Sequence, residues 1–91
     1  MFEFDPGKSA ANKAKHGIDF AEAQAIWDDA CRIVGPTYAG GDDERFMVIG
    51  QIDGRLWAAA ITLRDNVVRI ISVRRARANE AKAYHDEQDW R

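Results

Sequence analysis

Arg69, Arg74, Arg75 and Arg77 cluster at the end of the run from Val67 to Arg77, an apolar strand pattern that turns basic where a helix pattern begins. A guanidinium is a planar fork that grips phosphate oxygens in pairs, and two or three converging forks can stabilise the added charge of a phosphoryl transition state. Glu80 follows, either as the acid that suits a helix's first turn or as a general base beside the arginines. Tyr84 lies one turn later on the same helical face, so the pair can line one edge of a site. Far upstream, Lys15 and His16 share the last turn of a predicted helix, and a histidine exchanges protons near neutral pH. Each group also has a purely structural reading. The arginines can pair with Glu80, Asp86 or Glu87 as solvated strand-end charges, and Lys15 and His16 can simply balance a helix dipole.

Missing motifs narrow the chemistry. The chain has no Gly-rich phosphate loop, no serine elbow, no Cys-His pair and no zinc-ligand spacing. RNA cleavage is one reaction that runs on so sparse a set, because the ribose 2′-hydroxyl supplies the nucleophile. The protein need only orient the phosphate, neutralise its charge and assist proton transfer, with no cofactor or metal expected. Simple two-residue alternation along the basic strand places Val68, Ile70, Ser72 and Arg74 on one face and Arg69, Ile71, Val73 and Arg75 on the other.

The elements that must position these groups can be read from local signals. Asp5-Pro6-Gly7 marks a helix start, and the helix runs to about His16, where Gly17 can take the left-handed terminating conformation. Asp19 and Glu22 form an Asp-x-x-Glu capping pair, with Ile18 and Ala23 as a hydrophobic staple, so a second helix is predicted over Phe20–Asp28. Its buried face would be Phe20, Ala23, Ile26 and Trp27. A short strand at Cys31–Val34 precedes a loop over Gly35–Asp43. Strands are then predicted at Arg45–Ile52, Leu56–Leu63 and Val67–Val73, turned by Asp53-Gly54 and Asp65-Asn66. The last helix, Asn79 to about Gln88, carries little apolar material and is expected to dock weakly.

Composition sets the outer bounds. Ninety-one residues with 46% hydrophobic and 31% charged content suit one domain with a modest core. Cys31 is the single cysteine, which excludes an intrachain disulfide and suits a small core side chain; Trp27 and Trp57 are also expected in the core. No apolar run approaches the length of a membrane span, and the N-terminus lacks a secretory layout, so a cytoplasmic protein with no membrane association is expected. The formal net charge of −2 argues against a broad nucleic-acid footprint, while a local basic stripe still suits a phosphate.

Three segments resemble the BrnT family of bacterial type II toxins. They are Phe4-Asp5-Pro6-Gly7-Lys8 through Asn12-Lys13-Ala14-Lys15-His16-Gly17 to Ala23; Asp43-Glu44-Arg45-Phe46; and Arg69-Ile70-Ile71-Ser72-Val73-Arg74-Arg75-Ala76 with Glu80 and Tyr84. The resemblance implies one toxin domain over 1–91 and an α+β class. The compact RelE-like fold would hold an antiparallel sheet of three to four strands, two N-terminal helices and a C-terminal helix. It implies a ribonuclease that inhibits translation and a BrnA-like DNA-binding antitoxin that forms a hetero-oligomer with it and carries it to operator DNA. Lys15 and His16 correspond to the family's Lys-His pair, Arg45 to the arginine opening the central hairpin, and Arg74, Arg75, Glu80 and Tyr84 to its C-terminal cluster. One departure is Arg77, which stands where the family often has a Ser or Thr cap; its loss would cost the last helix about 1 kcal/mol.

The leading expectation is therefore a metal-independent endoribonuclease toxin. Arg74 and Arg75, with Arg45, would bind the scissile phosphate, while Glu80, His16 or Lys15 would move protons. The alternative is a non-enzymatic module that binds a protein or RNA, or a degenerate toxin that retains only antitoxin binding.

Overall fold

Helix α1 (Pro6–His16) is defined by its ends. The Asp5 carboxylate accepts from the backbone N–H groups of Gly7 (2.7 Å) and Lys8 (3.1 Å), and Gly17 closes the helix at φ 82°. The computed structural model describes residues 1–36 and 45–88. Asp19 and Glu22 form the expected reciprocal box: Glu22 N–H donates to Asp19 (2.7 Å), and Asp19 N–H donates to Glu22 (3.0 Å).

The second helix predicted over Phe20–Asp28 is present as a 3₁₀ helix, Glu22–Asp28, two residues shorter at its start. Its apolar spacing supplies the reason. Phe20, Ala23 and Ile26 recur every third residue, and three residues per turn align such positions in one column. All three are almost fully buried, at 1%, 0% and 0% exposure. Trp27 stands off that column, half-buried, and meets Phe2 edge-on at 4.9 Å.

Five strands form one sheet in the order β1-β5-β4-β3-β2. They are β1 (Phe2–Glu3), β2 (Ile33–Pro36), β3 (Arg45–Ile52), β4 (Arg55–Arg64) and β5 (Val67–Arg75). The α+β class holds, but the sheet is larger than predicted and mixed, because β1 pairs parallel with β5. Two residues ahead of a helix cap carry no periodicity, so β1 left no trace in the pattern. The predicted strand at Cys31–Val34 lies two residues further on, as edge strand β2. Gly35 and Pro36 of the predicted loop belong to β2; its remaining residues, 37–43, lie outside the described ones. Both hairpins have positive φ at both turn residues: Asp53 (50°) with Gly54 (81°), and Asp65 (52°) with Asn66 (66°).

An irregularity in β5 overturns the simple alternation. Ala60 pairs with Ser72 but Ile61 pairs with Ile70, which leaves Ile71 as the extra residue of a bulge. Ile70 and Val73 therefore both enter the main core, and Arg69, Ser72 and Arg74 fall on the opposite face. On the first face, Val48, Trp57, Ala59, Ile61, Ile70 and Val73 pack against Ile18, Phe20, Ala23 and Ile26. Gly50 lets the 3₁₀ helix approach β3, since a Cβ there would lie 2.8 Å from Ile26 Cγ2.

Among the described residues, the second face is only partly covered. Helix α2 (Ala78–Gln88) sets Tyr84 against Ile49 and Ala58, with Cys31, Ile33, Met47 and Leu56 around them. The far row, Arg45–Thr62–Arg69, lies four residue pairs away along β4. Along the other edge of β5, β1 pairs only Val68 and Arg69, and a side chain continues the pairing. Asn12 Nδ2 donates to the carbonyls of Val73 (2.9 Å) and Ile18 (2.8 Å), while its Oδ1 accepts from Val73 N–H (3.2 Å). Among the described residues, no helix is long and apolar enough to cross a membrane.

Candidate functional site

Arg74 leaves β5 on the second face opposite Ala58, and α2 begins four residues later. The two elements bring it to Glu80. Arg74 Nη1 and Nη2 donate to Glu80 Oε1 (2.6 Å) and Oε2 (2.9 Å), a two-point fork between side chains 25% and 13% exposed. Oε1 also accepts from the Arg77 backbone N–H at 2.8 Å. Glu80 is held below the usual carboxylate range, first by the Arg74 fork and further by the Arg77 N–H, with burial opposing both. It is therefore ionised, and a weak base while Arg74 is bound to it. The pair sits in a shallow groove of about 360 Å³ whose other walls include Ile33, Met47, Ile49 and Arg77.

The Glu80–Arg77 bond also revises the expected weakness of α2. A Ser or Thr at 77 would complete a capping box, and with Arg77 the half supplied by Glu80 survives. The helix is anchored a second time by Tyr84, whose hydroxyl donates to Asp29 Oδ2 at 2.7 Å.

Arg75 does not join Arg74. Neighbours on a strand point to opposite faces, and Arg75 lies 5.4 Å over the ring of Trp57 with its Nε donating to the Leu56 carbonyl (3.3 Å). The two arginines expected on one phosphate thus flank the sheet. Lys15, exposed, and His16, half-buried, end α1 on the Arg75 side: the next residues, Gly17 and Ile18, line a hollow with Trp57. The described contacts do not bring either of them to Glu80.

Tyr84 shares the helix face of Glu80 but points into the core, 6% exposed. Burial, then the Asp29 carboxylate, pushes its hydroxyl up to about 12. Asp29 receives further bonds from the N–H groups of Cys31 and Gln51, both at 2.8 Å. Burial raises this carboxyl, but its three donors outweigh that and hold it below its ordinary value. This is a latch between α2 and the turn before β2. It leaves Tyr84's hydroxyl donating away from the arginines.

Arg45 stands on the second face but in the far row, beside Thr62 and across it from Arg69. It lines a different hollow, with Lys8, Arg64 and Glu3. Of the seven expected site residues, the structure therefore joins Arg74 and Glu80 directly, keeps Arg45 on their face, and places Arg75, Lys15, His16 and Tyr84 elsewhere. Among the described residues no group of three His, Cys, Asp or Glu side chains is arranged to hold a metal ion.

Sequence reasoning missed Asn12 and Asp29, which position the site without lining it. Asn12 stood inside the block that carried the family resemblance, but a buried amide bonding a strand 61 residues away has no local signal. Compared with known families, residues 4–80 match the model described as "Ribonuclease toxin, BrnT, of type II toxin-antitoxin system". No curated protein matches the chain.

Proposed function

The chain belongs to the BrnT family of ribonuclease toxins of type II toxin-antitoxin systems, and from that premise we propose that it cleaves RNA at the Arg74–Glu80 pair. The carrying observation is the fork itself: a guanidinium already aligned for two oxygens, beside a carboxylate whose proton affinity it suppresses.

A phosphodiester entering the groove presents oxygens that compete with Glu80 for Arg74. As Arg74 turns to the phosphate, Glu80 loses the partner that most lowers its pKa and becomes a stronger base. It takes the proton of the ribose 2′-hydroxyl, the 2′-oxygen bonds to phosphorus, and the bond from phosphorus to the 5′-oxygen breaks. A 2′,3′-cyclic phosphate remains, and the departing 5′-oxygen takes up a proton from water. His16 or Lys15 could give that proton only to an RNA that wraps the β5 edge. Arg74 stabilises the charge gathering on phosphorus, and no step calls for a metal or cofactor.

The biological frame extends the same reading. The α+β sheet suits the RelE-like fold that the resemblance implies. The chain would act in the cytoplasm, inhibit translation by cutting RNA, and be neutralised by a BrnA-like antitoxin that supplies the contact to operator DNA. Expressing the chain alone should arrest growth and amino-acid incorporation, and co-expressing such an antitoxin should restore both. Growth unaffected by the folded, expressed chain would contradict the reading, and RNA retarded without cleavage would favour a binding module.

A further inference from the structure

We propose that the end of the second face that the described residues leave uncovered is a separate phosphate-binding subsite that holds the backbone of single-stranded RNA near the reacting phosphate. It rests on the ribonuclease reading for the identity of the strand. Lys8 from α1, Arg45 from β3, Thr62 and Arg64 from β4, and Arg69 from β5 line one hollow of about 450 Å³. Among the described residues that line it are Lys8, Arg45 and Arg69, with the carboxylate of Glu3 beside them.

Sheet register makes this an ordered row. Arg45, Thr62 and Arg69 are direct neighbours across three strands, so the two arginines flank a hydroxyl with their backbones about 10 Å apart. The Ile71 bulge is what brings Arg69 and Arg74 to one face despite their odd spacing. From the Arg69 row to the Arg74 row is about 13 Å along the strands, which suits two separate phosphates of one strand better than a shared phosphate. Between them the floor is the row Met47–Ala60–Ser72, in which Ala60 and Ser72 beside the arginines are small.

The lining chemistry favours a polyanion. Among the described residues Ile71 is the one large apolar side chain in the hollow, whereas a protein interface needs an apolar centre. The Arg69–Glu3 pair is 3.3 Å long with both side chains about half exposed, so a phosphate can displace Glu3 at little cost. The hollow thereby gives Arg45 a role away from the scissile phosphate.

The test is binding of a fluorescein-labelled 2′-O-methyl RNA oligonucleotide, which cannot be cleaved, followed by fluorescence anisotropy across a salt series. Each lost phosphate contact should reduce the salt slope by about 0.7. The Arg45→Gln/Arg69→Gln double variant should lose about 1.4 and Lys8→Gln about 0.7, with circular dichroism reporting the fold of each. If the double variant does not fold, Lys8→Gln decides alone. Arg32→Gln/Lys82→Gln, with the same charge change outside the hollow, should match the unsubstituted chain. An unchanged slope in the hollow variants, an equal loss in the control, or a loss confined to antitoxin binding would each overturn the subsite. Binding with the expected slopes by a chain that cleaves no RNA would overturn the ribonuclease reading and leave the anion subsite standing.

Discussion

Asn12 completes the edge of β5 by bonding both the N–H and the carbonyl of Val73, the residue before Arg74. A third bond, to the Ile18 carbonyl, ties the same amide to the chain just beyond the α1 cap. One buried side chain thus fixes α1, the turn into the 3₁₀ helix and the strand that presents Arg74.

Asn12→Ala should destabilise the protein by about 2–4 kcal/mol, since it strands a buried N–H and removes partners from two carbonyls. Urea unfolding measures the loss, and hydrogen exchange should show the Val73 amide opening faster. Unchanged stability would mean that water replaces the amide at no cost.

Arg77→Ser should stabilise α2. The serine hydroxyl can accept from the Glu80 backbone N–H while Glu80 continues to accept from the N–H of residue 77, which completes the box. The expected gain is about 0.5–1 kcal/mol, read as a higher melting temperature. In a Glu80→Gln background, which lacks the charged fork, the gain should shrink.

Local chemistry made much of this molecule legible. Asp5 and Gly17 bounded α1, Asp53-Gly54 and Asp65-Asn66 set two hairpins, and Arg45–Ile52 matched its predicted bounds. What escaped was set by contacts between distant segments or by single-residue irregularities. The Ile71 bulge leaves no mark in a run of β-formers, yet it decides which face Arg74 joins. Phe20, Ala23 and Ile26 fit both helical periods, so the 3₁₀ geometry emerges only when the column meets its core. Arg74 and Glu80 were legible as residue types, and their pairing required α2 to fold back over the sheet.

Stability should fall at both pH extremes through identified groups. Glu80 and Asp29 have depressed native pKa values, so their contribution is present above the unfolded carboxylate value of about 4 and is lost as pH falls through the native ones. Tyr84 is raised from 10.0 to about 12, so its contribution is present below 10 and is lost as pH rises toward 12. Unfolding free energies measured across pH should show both losses. Glu80→Gln should flatten the acid side and Tyr84→Phe the alkaline side.

The most direct test of the central claim is mass spectrometry of RNA incubated with the purified chain in the presence of a chelator, beside Arg74→Lys. We expect products with 2′,3′-cyclic phosphate ends, and a rate at least about 100-fold lower in Arg74→Lys, which keeps the charge but loses the fork. Intact RNA with the folded chain, or undiminished cleavage by Arg74→Lys, would contradict the account.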